Sequence, residues 1–145
     1  MSSFAADISA FVKKANGNVE RVVKKIIFDL GTRIVMRSPV GDGSLWQSPP
    51  PKGYVGGRFR ANWQYGYGEM PSGDLPDIDS TGAASTLRIT TGLAEKPAAG
   101  LHYLVNNLPY AKRLEDGWSH NQAPAGMVGV TVVEFQDIVK KAAQA

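Results

Sequence analysis

The chain is 145 residues long, with 43% hydrophobic and 20% charged residues, 16 Gly and 9 Pro. This suits one folded domain over 1–145 and excludes a wholly disordered or fibrous protein. The absence of Cys excludes disulfide scaffolds, thiolate metal sites and cysteine nucleophiles. The formal charge of +3 is too small to identify a nucleic-acid binder.

The first apolar set, Phe4, Ile8, Phe11, Val12 and Ala15, recurs at helical spacing, with Ser2 or Ser3 as the cap and Asn16-Gly17 as the stop. A second helix follows. Val19, Val22, Val23, Ile26, Ile27, Leu30 and Ile34 keep the helical period, and Ser38-Pro39 ends it because the residue before proline avoids the helical region. The opposite face carries Arg21, Lys24, Lys25 and Arg33. From 40 to 57 the period vanishes into Gly and three consecutive Pro, giving a long exposed loop that holds Trp46 and Tyr54.

Arg58 to Tyr67 alternates: Phe59, Ala61, Trp63, Tyr65 and Tyr67 on one face, Arg58, Arg60, Asn62 and Gln64 on the other, the pattern of a half-buried strand. A second long loop, 68–82, carries Glu69, Asp74, Asp77 and Asp79 without any Lys or Arg. Two further strands are expected at Thr86–Thr90 and Leu101–Asn106, separated by a turn with Pro97 and Gly100. The C-terminal stretch is β-branched, yet Val128, Val132, Phe135, Val139 and Ala142 fit a helical stripe, with Pro124 placed at the start and Lys140 and Lys141 at the dipole's negative end. The expected fold is α+β, with N-terminal helices and a C-terminal helix packed on a small antiparallel sheet and two long loops.

Catalytic chemistry finds little support. The only histidines are His102, in an expected strand, and His120, in a polar turn. Neither belongs to a ligand pair, and there is no nucleophile elbow. Glu115-Asp116 are adjacent acids whose side chains diverge, and the Gly clusters match neither nucleotide-binding fingerprint. We expect no enzyme activity, no catalytic residue, no metal and no cofactor, with an unrecognised hydrolase as the third reading left open. No export signal and no membrane span are read from the sequence.

Two binding surfaces are conceivable. Residues 1–40 carry Lys13, Lys14, Arg21, Lys24, Lys25, Arg33 and Arg37 against Asp7, Glu20 and Asp29, while loop 68–82 is purely acidic. Separate surfaces of opposite sign permit heterologous contacts between copies. The basic face at Arg21, Lys24 and Lys25 is the candidate for DNA, which keeps a small basic nucleic-acid-binding module open as the alternative reading.

The segment "YAKRLEDGWSHNQAPAGM", Tyr110 to Met127, followed by a helix, resembles the neck and tail-completion proteins of long-tailed bacteriophages. Their hallmark is Tyr-Ala, then Leu-Glu-x-Gly, then a short polar turn and Ala-Pro before the final helix. The earlier "RSPVGD…GGRFRANW" is similar to their second hallmark, a Pro-x-Asp-Thr-Gly turn that leads into a strand. Here Pro39 and Asp42 are separated from Gly57-Arg58 by an inserted loop, and the Thr is missing.

The resemblance implies a virion structural protein of the neck and tail, assembled in the host cytoplasm as a ring between the capsid portal complex and the tail tube. A hexamer would match a tail tube, and a dodecamer is the other candidate. Its implied partners are further copies of itself, other neck proteins and the tail-terminator or head-closure proteins, with nonspecific contact to packaged DNA. Tyr110, Leu114 and Glu115 carry over as structural positions, the last a carboxylate accepting backbone or intersubunit hydrogen bonds. Trp46, Tyr54, Arg58, Arg60 and Glu115 are the candidates for subunit contact.

Overall fold

The protein is described from a computed structural model covering residues 6, 9, 19–45 and 47–144. The expected first helix, Phe4 to Ala15, lies outside these residues except for Ala6 and Ser9, which are helical; Trp46 also lies outside them.

Helix α1 spans Val19–Arg37, with Glu20 in its first turn and Arg37 in its last, the charge order that the helix dipole favours. It ends where expected. The Ser38 amide donates to Val35 O, and its hydroxyl donates to Ile34 O at 2.7 Å, so the last turn closes before Pro39. Loop 40–57 is irregular apart from a 3-10 turn at Gly43–Leu45.

The expected strand from Arg58 begins late. Arg58–Ala61 forms a helical turn, α2, and only Trp63–Tyr67 is the strand β1. Phe59 and Trp63 are four residues apart, a spacing that serves a helical turn as well as an alternating strand, and their rings meet edge-on at 5.9 Å between centroids. The polar side chains settle the choice. Buried Asn62 donates to Arg58 O and Leu75 O and accepts from the Leu75 amide, and Asn106 donates to Phe59 O. Carbonyls that a ladder would have used are thereby satisfied.

A second expectation fails outright: Thr86–Thr90 is not a strand but the middle of helix α3, Ala83–Ala94. Its start is supplied by Asp79, whose carboxylate accepts from the amides of Gly82 (3.0 Å) and Ser85 (2.8 Å) and from the Ser85 hydroxyl (2.7 Å). Ser85, Ile89 and Leu93, one helical turn apart, form its buried side. The β-branched residues that suggested a strand are outweighed by a satisfied cap and a core-facing stripe.

The sheet therefore has two strands: β1 pairs antiparallel with β2, His102–Asn106, from Trp63↔Asn106 to Tyr67↔His102. Helix α3 packs on β1 and against α1. At the second contact, a Cβ on Gly31 would sit 3.4 Å from Ile89 Cγ2, so Gly31 lets the helices approach closely. A short helix, α4, covers Ala111–Glu115, and the long C-terminal helix α5 covers Val128–Gln144. The latter starts four residues after Pro124, which lies in the preceding turn rather than in the helix. It lies along α1, where Arg33 and Arg37 pair with Glu134 and Arg37 donates to Thr131 Oγ1.

The core gathers Ile34, Val35, Phe59, Trp63, Ile89, Leu108, Ala123 and Met127. One buried polar chain threads it: Trp63 Nε1 donates to Ser38 Oγ at 2.7 Å, and Ser38 Oγ donates to Ile34 O. The expected α+β class is borne out. Among the described residues, no helix is long and apolar enough to cross a membrane.

Candidate functional site

The motif from Tyr110 to Met127 is where sequence and geometry converge. Helix α4 places Glu115 so that its two oxygens face the first turn of α5. Oε2 accepts from the amides of Met127 and Val128, and Oε1 accepts from Gly129, all at 2.9 Å. These are the orphan donors of a helix N-terminus, and a carboxylate there also meets the positive end of the dipole. Glu115 thus caps a helix that starts thirteen positions downstream, and both its oxygens are spent within the chain.

Two glycines make this closure possible. Gly117 has φ 91° and a Cβ there would lie 2.5 Å from Pro124 O; Gly126 has φ 80° and a Cβ there would collide with Glu115 O. Only glycine takes these conformations without strain while the backbone passes so close. The Gly117 amide donates to Leu114 O, and the Gly126 amide donates to Ala123 O. The spacing Glu-x-Gly and then Ala-Pro-Ala-Gly is therefore the recipe for one closed turn.

Tyr110 opens the motif with its ring 6.0 Å from that of Phe59, and Leu114 packs against the core. Burial pushes the Tyr110 phenol above its ordinary value, against the opposing pull of Arg58. On the outer side the turn faces the root of loop 40–57. The Val40 amide donates to Gln122 Oε1 at 2.8 Å, and Gln122 Nε2 donates to Val40 O at 2.7 Å, so one glutamine clamps the loop to the turn.

Between loop and turn runs an open groove of about 720 Å³. Its walls include Leu45, Tyr54, Phe59, Tyr110, Leu114 and Trp118, and its rim carries Arg58, Arg113, His120 and Asp42. Leu45 is 67% exposed and Trp118 65%. The Arg113 guanidinium lies over the Trp118 ring, 5.1 Å from its centroid. Asp42 accepts from the Ser44 amide and hydroxyl, which hold its carboxyl below the usual range.

The remaining sequence candidates are distributed differently. Tyr54 lines the groove, and Arg58 lies on its rim, paired with Asp74 at 2.7 Å. Arg60 turns inward and donates to Ser80 O, Met36 O and Ser38 O, tying α1, α2 and loop 68–82 together. Burial draws its pKa down while Asp79 opposes this. Of the basic face, Lys25 pairs with Asp29 one turn on, Lys24 reaches Ala94 O at 3.4 Å, and Arg21 is exposed.

Loop 68–82 is not the free acidic surface that its composition suggests. Asp74 pairs with Arg58, Asp77 with Arg88 at 3.5 Å, and Asp79 is buried as the α3 cap. Of its four acids only Glu69 makes no ion pair or hydrogen bond among the described residues. Burial pushes the Asp79 carboxyl up, but hydrogen bonds from Ser85, Gly82 and Ala84 outweigh it and hold the group below its ordinary value. The loop is also pinned to the sheet: Gln64 donates to Gly73 O, and Asn107 to Pro71 O and Gly73 O.

His102 is satisfied on both ring nitrogens: Nε2 donates to Ala98 O at 2.8 Å, which leaves Nδ1 to accept from the Tyr65 hydroxyl at 2.7 Å. His120 is exposed on the groove rim. Among the described residues, no group of three or more His, Asp or Glu could hold a metal. Sequence reasoning missed the Gln122 clamp, for which no local signal exists, and the Asp79 cap, which the run Asp79-Ser-Thr-Gly82 could have signalled as a helix start. Comparison with protein-family models, with curated proteins and with solved structures finds nothing that matches this chain.

Proposed function

We propose that this chain is a bacteriophage virion structural protein at the head–tail interface, a neck or tail-completion subunit that joins the portal and head-closure complex to the tail. The observation that carries the reading is the use made of the motif Tyr110 to Met127. Its distinctive residues hold backbone: Glu115 caps α5, Gly117 and Gly126 close the turn, and Tyr110 and Leu114 anchor it. What the turn frames is an apolar groove with large exposed side chains, the kind of surface that subunits cover. In this reading the protein acts by packing against copies of itself, as a hexameric or a dodecameric ring, and against the neighbouring connector rings. No residue performs covalent chemistry.

Immunogold labelling of purified virions tests it. Label is expected at the junction of head and tail, and deletion of the gene is expected to leave unjoined heads and tails. Label elsewhere, or joined particles without the protein, overturns the reading.

A further inference from the structure

We propose that the groove between loop 40–57 and the 110–122 turn receives the Glu69–Met70 tip of a second copy of this chain, so that copies join head to tail. The inference rests on the ring-forming reading above and names the contact that would build the ring.

The argument for this occupant is charge and shape. The groove is walled by Leu45, Tyr54, Phe59, Tyr110, Leu114 and Trp118, and its rim carries Arg58, Arg113 and Asp42. Arg58 already pairs with Asp74, and the Asp42 carboxylate is engaged by Ser44, which leaves Arg113 with no carboxylate among the described residues. The matching surface is the tip just after β1. Met70 is 58% exposed, and Glu69 is the one acid of loop 68–82 without a partner among the described residues. An exposed methionine beside a carboxylate complements an apolar groove beside a guanidinium that stacks on Trp118 and has no carboxylate among the described residues. Methionine also adapts readily to an irregular apolar wall.

The tip and the groove are different surfaces of the chain. Loop 68–82 folds back along β1, with Pro71 O held by the Asn107 side chain, and neither Glu69 nor Met70 lines the groove. A contact between two different surfaces of one chain is heterologous, and repetition of such a contact closes a ring or extends a filament.

Disulfide trapping tests this on a background without native cysteine. Met70→Cys places a thiol on the tip and Asn121→Cys one in the groove wall; both positions are exposed, and a far-UV spectrum matching the unsubstituted chain certifies the fold of each variant. Under mild oxidation the double variant is expected to give a ladder of covalent oligomers on a non-reducing gel, whereas either single variant gives dimers at most. In the same background, Glu69→Lys or Arg113→Glu alone is expected to reduce the ladder about tenfold, and both together to restore it to within about twofold. Absence of species beyond the single variants' dimers overturns the proposal. So does a ladder indifferent to the charge reversals, or one that the double reversal leaves suppressed. If the ladder fails while labelling finds the protein at the neck, only this contact is refuted; if the ladder forms and the label lies elsewhere, only the neck reading is.

Discussion

Glu115 and Asp79 do the same work at different helices, and neither is next to the helix it caps. Glu115→Ala strips three amides of their acceptor at the start of α5, which should cost about 1–3 kcal/mol, read as a lower midpoint in urea. Glu115→Gln keeps one acceptor oxygen and should lose less. For Asp79 the sign follows from its lowered pKa. The ionised form is favoured in the folded state, so its stabilisation is fully present above the unfolded carboxylate value of 3.8 and fades as pH falls through the folded value. Asp79→Asn keeps one acceptor oxygen where donors face both oxygens of the carboxylate. Equilibrium unfolding measured from pH 7 down to pH 2 should show a variant that is less stable at neutral pH and whose acid limb is flatter than that of the unsubstituted chain.

Among the elements, the turn 115–127 is the most constrained. Gly117→Ala must hold φ near 91° with a methyl group 2.5 Å from Pro124 O, and should destabilise by about 1–3 kcal/mol in thermal or urea unfolding. The two long loops differ for reasons their composition did not disclose. Loop 68–82 is fastened by Asn62, Gln64 and Asn107 along the sheet, whereas residues 44, 45 and 47–55 of the other loop lie mostly exposed beyond the Gln122 clamp. Lys52 is exposed there, before Gly53. Limited trypsin digestion should therefore cut first at Lys52, ahead of every site in α1 and α3, and mass spectrometry of the fragments checks this. If assembly covers this loop, the cut should disappear in intact virions.

For the molecule as a whole, the basic face of α1 gives the test that separates a DNA-facing ring from a solvated surface. Lys25 and Lys24 have partners of their own, and Arg21 stands exposed. Changing Arg21, Lys24 and Lys25 to Glu should weaken salt-sensitive retention on DNA if that face meets phosphate, since each lost contact flattens the salt dependence by about one unit. Retention on a DNA column across a salt series that does not change would assign the face to solvent.

The sequence by itself determined α1, its stop at Ser38-Pro39, β2, α5 and the extent of both loops. Each depends on local rules: a long periodic stripe, a proline that forbids helix before it, or Gly and Pro too dense for regular structure. The importance of Glu115 was also legible, through the motif around it. Tertiary structure decided the rest. Whether Phe59 and Trp63 belong to a turn or a strand depended on Asn62 and Asn106 finding distant carbonyls. Whether Thr86–Thr90 forms strand or helix depended on Asp79 reaching the α3 amides while Ile89 met α1. The acidity of loop 68–82 could be weighed only after Arg58 and Arg88 were placed against it, and the groove lies between segments that Gln122 ties together by bonding Val40, 82 positions earlier. Periodicity reports what one segment prefers; which polar group satisfies which is settled between segments, and at this site those pairings made the surface.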